Sequence, residues 1–302
     1  MTRRALFIFN PAARKAPPIE KLRATLERLP GWEVSLETTA APGQATALAR
    51  EAAQRGFEAV VACGGDGTVN EVVNGLAGSS TALAVVRGGT ANVWAKEARI
   101  PRKSAAAVRL LVEGEVRTID LGRAGDRYFL LMAGVGFDAA IVRSLSEGVK
   151  RRLGAAAYVV GGLRLSLSYR AVAADLRADG EPLSSPLYWL MLGNTRNYGG
   201  LLNLAHMAKA DDARLEALIL QRGGPLRLAW LALWVLLRRH HRRAHVLHRQ
   251  VASLEVRTPG LPVQVDGEYL GETPLRFEVA PGALRVIIPR GLKSPLFQEG
   301  HR

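Results

Sequence analysis

The sequence predicts an α/β fold: an N-terminal parallel-sheet α/β/α domain followed by a mainly antiparallel β-sandwich domain that carries one or two apolar-basic helices. Three observations predict it. Over the first 120 residues, short apolar runs alternate with stretches of helical period, the rhythm of a parallel sheet covered by helices. Beyond Asp120 the runs become period-two and are punctuated by Gly, Pro and Asp, as antiparallel strands joined by turns require. The chain also has 302 residues, 48% of them apolar, which is enough for two cores and too much for a disordered basic tail.

The elements follow in order. Leu6–Phe9 is an apolar run stopped by Asn10-Pro11 and reads as the first strand. Ile19–Leu29 has leucines at helical spacing, Trp32–Thr38 alternates like a strand, and Gly43–Arg55 places alanines along one helical face. Ala59–Cys63 is uninterruptedly apolar, as a strand covered on both faces must be. Val69–Leu76 reads as a helix after a glycine turn, then Ala82–Val86 as a strand and Ala91–Ala98 as a helix. The second half offers strands at Tyr128–Ala133, Tyr188–Leu192, Arg214–Leu220, Ser253–Arg257, Pro262–Val265, Leu275–Val279 and Leu284–Ile288. Two helices are expected among them, Ala139–Leu167, broken at its glycines, and Leu226–His248. The domains are drawn at 1–122 and 123–290, with 291–302 as a C-terminal segment packing back on the first domain.

Lys and Arg total 41 against 27 Asp and Glu, a formal net charge of +14, so an anionic partner is expected. The charge is concentrated. Seven arginines and no acid lie between Ala217 and Leu254, and seven basic residues face only Glu147 and Asp175 between Arg143 and Arg177, so these segments hold +12 of the +14. Each is also apolar, with Trp230 and Trp234 one helical turn apart ahead of Arg238-Arg239-His240-His241-Arg242-Arg243. That is the composition of a helix lying in a bilayer interface on anionic headgroups; the alternative is a helix packed on the β-domain with a solvated basic end. No zinc-finger, RNA-recognition or helix-turn-helix signature occurs, so nucleic acid is not expected. Histidines 240, 241, 245 and 248 have helical spacings that could ligate zinc, but the neighbouring arginines oppose a dication.

A single cysteine, Cys63, excludes an intramolecular disulfide and fits a reducing compartment. The apolar run Ala5–Phe9 is too short for a signal peptide, and Leu228–Leu237 is too short to cross a bilayer.

The segment with chemistry in it is Gly64-Gly65-Asp66-Gly67-Thr68-Val69-Asn70-Glu71. A buried strand ends there, glycines permit close backbone approach, and a helix begins, which aims unpaired N–H groups at one point as phosphate binding needs. A carboxylate beside a polyphosphate repels it unless a divalent cation lies between, so Asp66 implies Mg²⁺. Arg87-Gly88-Gly89-Thr90-Ala91-Asn92 is a second loop of the same design after the next strand, and two such loops on adjacent strand ends form a crevice.

GGDGTVNEVVNGL resembles the signature of the diacylglycerol kinase catalytic-domain family, which includes bacterial soluble lipid kinases and sphingosine kinases and is shared in shorter form with NAD kinases. Further segments match in order: FNPAAR, TTAAPGQA, GGTAN, the run from Asp120 to GVGFDA, and VDGE at 265–268. The resemblance spans nearly the whole chain. It implies an NAD kinase/diacylglycerol kinase-like fold, an ATP site lined by Asn10, Pro11, Ala12, Ala13, Arg14, Thr39, Gly64 through Glu71, Gly89, Thr90 and Asn92, and Mg²⁺ held by Asp66 and Asp120. Asp212 matches a carboxylate that binds a second, structural Mg²⁺ in relatives, and a solvated acidic turn explains it equally well.

Asp266 and Glu268 sit two apart, and in an extended segment would point to one side. The resemblance makes this pair the general base and its partner, and which takes the proton stays open. Asp266-Gly267 also reads as a hairpin turn. The chain departs from the family at Ala13-Arg14, where Ser-Gly is common, and at Val93-Trp94, where Asp-Phe is common, so a diacylglycerol acceptor is not simply inherited.

The expected protein is a cytoplasmic lipid kinase, peripherally associated with the inner face of the membrane, that phosphorylates a lipid hydroxyl from ATP. The acceptor is expected to enter between the two domains, and a homodimer is the other partner considered. The rival readings are a kinase of a soluble acceptor such as NAD and a non-catalytic membrane-binding relative.

Overall fold

The computed structural model describes residues 2–145, 155–200 and 202–298. Two compact units emerge. The first comprises Met1–Leu121, Ala210–Asp212 and Ala280–Arg302, and the second Gly122–Lys209 and Ala213–Val279.

In the first unit the chain runs β1 (Arg3–Phe9), α1 (Ile19–Leu26), β2 (Trp32–Thr38), α2 (Gln44–Gln54), β3 (Ala59–Gly64), α3 (Asp66–Leu76), β4 (Ala82–Arg87), α4 (Val93–Glu97) and α5 (Ser104–Glu113). The sheet order is β2-β1-β3-β4, all parallel, with Phe7 paired to Leu36 on one side and Val61 on the other. Every residue of β3 is buried, which is why its sequence shows no alternation. The order reverses between β1 and β3, so the loops after β1, β3 and β4 meet at the carboxyl ends of the strands, the ligand-binding edge of such sheets.

The chain enters the second unit within β5 (Glu115–Ala124) and leaves it within β16 (Leu275–Ile288). Between them lie β6 (Arg127–Phe129), β7 (Met132–Gly136), α6 (Phe137–Ser144), α7 (Ala155–Ser166), β8 (Val172–Ala178), β9 (Glu181–Leu187), β10 (Trp189–Gly193), β11 (Leu215–Leu220) and α8 (Pro225–Leu236). After a 3₁₀ turn at His240–Arg242 come β12 (Val246–Val251), β13 (Ser253–Val256), β14 (Pro262–Val265) and β15 (Glu268–Glu272). One antiparallel sheet has the order β12-β11-β10-β7-β14-β15. The other joins the start of β16 to β13, β8 and β9. Leu190, Leu192, Ile219 and Val263 from the first sheet share a core with Leu176, Leu187, Leu254 and Phe277 from the second, the packing of a sandwich.

Several elements differ from expectation for local reasons. The stretch 226–248 is not one helix: α8 ends at Leu236, Arg238 takes a left-handed φ of 53°, and Val246–Val251 pairs with β11 as a strand. The stretch 139–167 is two helices, and 146–154 lies outside the described residues. Tyr128–Ala133 is split between β6 and β7, while the runs at 275–279 and 284–288 are one continuous strand. α3 begins at Asp66 rather than Val69, so the glycine turn is itself the first turn of the helix.

Candidate active site

In the first unit, three loops lock onto one another through backbone. The Gly88 amide donates to Gly64 O at 2.8 Å, and the Lys15 amide donates to Gly88 O at 2.8 Å. A Cβ on Gly89 would lie 2.5 Å from Gly65 Cα, and one on Gly88 would lie 3.0 Å from Gly64 Cα. The glycines thus allow the two loops to touch main chain to main chain, a steric demand that no other residue meets.

Asn10 ties the first loop in: its Nδ2 donates to Thr68 Oγ1 at 2.8 Å, and its Oδ1 accepts the Ala12 amide. Asn92, at a left-handed φ of 46°, braces its own loop by accepting the Gly89 amide and donating back to Gly89 O. Asp66 joins the loops, because its Oδ1 accepts the Val93 amide at 2.7 Å. Burial pushes the Asp66 carboxyl above its ordinary value, against the opposing pull of the Val93 and Asn92 amides and the Lys96 charge.

The sequence-derived residues divide by placement. Gly65, Asp66 and Gly67 are partly open, and Pro11, Ala12, Arg14 and Thr90 are exposed. Thr68, Val69 and Asn70 are buried and support the turn, and Thr39 is buried at the end of β2 with its amide bonded to Phe9 O. Glu71 turns away from the glycine loops: its Oε2 accepts the Ala45 amide in the first turn of α2, and its carbonyl accepts Thr46 Oγ1. Trp94 is core, almost wholly inaccessible.

The fit to a nucleotide rests on the start of α3. Gly65 is its N-cap and contributes no side-chain bond, so no capping side chain competes with an anion at this helix start. For a divalent cation the chain offers less. Among the described residues no three His, Cys, Asp or Glu side chains are grouped to hold a metal ion. A cation at Asp66 would therefore draw its remaining ligands from phosphate and water, as Mg²⁺ commonly does. Asp120 is buried; its Oδ1 accepts the Gly282 amide at 2.8 Å and its own amide donates to Ala210 O, which places it next to the segment carrying Asp212. Asp211, beside it, accepts the Gln298 amide.

In the second unit, Asp266 and Gly267 have φ of 47° and 87° and turn the β14–β15 hairpin. They are not extended, so Asp266 and Glu268 do not share a strand face as their spacing suggested. The hairpin sets the geometry instead. The Asp266 carboxylate is held by three successive amides, Leu130 on Oδ2 and Leu131 and Met132 on Oδ1, each at 2.9 Å. Glu268 is exposed and pairs with Arg127 at 2.7 Å. The amides of 130–132 and Arg127 carry no motif. Their only trace in the sequence is the loss of alternation at Leu130-Leu131 that separates β6 from β7.

The histidines form a cluster that helical spacing does not describe. His206, His240, His241 and His248 lie ring to ring at 4.7–6.1 Å, and buried Glu216 accepts His248 Nε2 at 2.8 Å. His245 is exposed on the turn before β12. Burial lowers His206 and His240 below the ordinary imidazole value. Arg238 and Arg239 are exposed, and Arg243 stacks on Trp234.

Comparison with known proteins covers both units. Residues 4–124 match the diacylglycerol kinase catalytic domain, and residues 132–288 match the YegS C-terminal NAD kinase beta sandwich-like domain. A protein of Pseudomonas aeruginosa strain UCBPP-PA14 named "Probable lipid kinase YegS-like" is 38% identical over 293 residues, 94% of each chain. The diacylglycerol kinase of Bacillus subtilis strain 168 is 29% identical over 294 residues, 95% of this chain and 97% of that protein. A crystal structure of a diacylglycerol kinase from Bacillus anthracis strain Sterne superposes with a TM-score of 0.73 over 97% of this chain and 98% of that one, at 21% identity.

Proposed function

This chain belongs to the diacylglycerol kinase catalytic-domain family and is a lipid kinase, and from that premise we propose that it transfers the γ-phosphoryl group of ATP, with Mg²⁺, to the hydroxyl of a diacylglycerol-like lipid at a membrane surface. The observation that carries the reading is the uncapped glycine turn at the start of α3 with Asp66 as its first helical residue. Its amides and helix end favour phosphate. Asp66, and Asp120 through intervening water, would hold Mg²⁺, which when bound neutralises charge on the transferring phosphoryl group. The lipid oxygen bonds to phosphorus as the bond to the ADP oxygen breaks, and the hydroxyl proton passes to a carboxylate.

Glu268 is the better proton acceptor of the two carboxylates, because it is exposed at the surface beside Arg127, whereas three amides fix Asp266 in the hairpin. Asp266 is a positioning residue in this scheme.

Membrane-surface action is supported by α8. Leu226, Trp230, Leu233 and Leu237 are exposed at helical spacing, Leu226 to 86%, while Leu231 and Val235 are the buried residues of the helix. An outward apolar face beside Arg227, Arg238 and Arg239 suits the headgroup boundary of an anionic bilayer. No helix among the described residues is long and apolar enough to cross a membrane.

The test is transfer of labelled γ-phosphate from Mg-ATP to a mixed lipid extract. Labelled organic-soluble product is expected from the wild-type protein, with a loss of at least about 100-fold in Asp66→Asn and no change in its vesicle binding. A folded protein that labels no lipid class, or that phosphorylates NAD instead, would overturn the reading.

A further inference from the structure

Asp138, in the first turn of α6, carries a carboxyl group that is only 2% exposed. A buried carboxyl must be satisfied by hydrogen bonds. Its Oδ1 accepts the Ala139 amide at 2.7 Å, and its Oδ2 accepts Nε2 of Gln264, on β14, at 2.9 Å. Room for it is made by Gly134 on β7, where any Cβ would collide with Asp138 Oδ2.

Gln264 is itself buried, and its other end is also engaged. Its Oε1 accepts the Gly267 amide at 2.8 Å. A carboxamide read at both ends cannot turn over, because a flip would set carbonyl against carboxylate and NH₂ against N–H. Gly267 lies between Asp266 and Glu268, and three amides fix Asp266 from the other side.

We propose that Asp138 and Gln264 are positioning residues for the Asp266–Gly267–Glu268 turn, a relay of two hydrogen bonds that holds the proton-accepting carboxylate in place for transfer. This rests on the reading that Glu268 takes the lipid proton. The relay has a polarity, since Asp138 must accept and Gln264 must donate.

Burial pushes the Asp138 carboxyl up to about 7. The groups facing it are Gln264 from β14, the Trp189 indole from β10 and the Tyr169 phenol after α7, whose own titration is raised by burial and by Asp138; Arg143 of α6, paired with Glu272 of β15, opposes the latter. Protonated Asp138 presents a donor to the Gln264 NH₂, and Gly267 loses its anchor. Turnover therefore falls as pH drops through about 7.

The experiment uses the full chain, Mg-ATP and dioleoylglycerol in mixed micelles, and reads kcat, the KM for ATP and hydrogen exchange at the Gly267 amide. D138N and Q264E should each lower kcat by about 10–100-fold with the KM for ATP unchanged, because only placement is lost. D138N should also flatten the pH profile near 7. The double variant D138N/Q264E exchanges donor and acceptor, so it should recover kcat to within about fivefold of wild type and restore Gly267 protection.

Single variants with wild-type kcat and wild-type Gly267 exchange, or a folded double variant no better than the singles, would overturn the relay. If E268Q turns over like wild type while Gly267 exchange follows the prediction, the proton-acceptor reading fails and the relay loses its catalytic role. If the variants do not fold, the wild-type protein decides alone: Gly267 protection, corrected for intrinsic exchange, must fall below about pH 7, and a pH-independent value refutes the proposal.

Discussion

At Asp138 the cost of burial and the requirements of function pull in opposite directions. Its carboxyl titrates at about 7 in the folded chain against an ordinary 3.8. The native state therefore holds a proton that the unfolded chain releases between those values, and stability falls as pH rises from about 4 to about 7. Above that window the whole cost is present. Denaturant unfolding across this range should show that decline in the wild-type protein and a flatter profile in Asp138→Asn; parallel slopes would remove Asp138 as the cause. Asp66, although partly open, is a second acid pushed up by burial, opposed by the Val93 and Asn92 amides and Lys96. A cation beside it would relieve that penalty directly.

The glycine loops show how an element can be specified by what it excludes. Gly65 and Gly89 abut through their α-carbons, so Gly89→Ala forces main chain against main chain. The substitution should destabilise the protein by about 1–3 kcal/mol and weaken nucleotide binding further than stability alone explains. A denaturant midpoint and an ATP titration on the same variant check both, and an unshifted midpoint would show that the loops are free to part. The β14–β15 hairpin behaves differently. Its Asp-Gly turn is legible as a turn, but the three amides that hold Asp266 come from the break between β6 and β7 and the first residue of β7, 134 to 136 residues away in sequence. No local pattern announces such a partner, because strand register brings it there.

On the scale of the molecule, the charge and the exposed apolar helix face belong to one account. Seven arginines without an acid lie between Ala217 and Leu254, and Leu226, Leu233, Leu236 and Leu237 are all more than half exposed on or beside α8. A large apolar side chain gains roughly 1.5–3 kcal/mol on full burial, and each basic residue about 1 kcal/mol near an anionic surface. Together these predict binding to phosphatidylglycerol vesicles that weakens with salt. A combined Leu226→Asn, Leu233→Asn and Leu236→Asn variant should lose sedimentation with such vesicles while still phosphorylating a short-chain, water-soluble acceptor. Unchanged sedimentation would show that α8 is not the contact.

The sequence by itself determined the alternation of strands and helices, the two glycine loops, the position of Asp66 and the clustering of charge. Those are properties of consecutive residues, and a period or a turn is local by nature. Only the tertiary structure decided that Glu71 serves α2, that His206 and Glu216 join the histidines near 240, and that Asp138 reaches Gln264. Hydrogen-bond partners of buried polar groups are chosen by which strands lie side by side, and that choice is made by the fold as a whole.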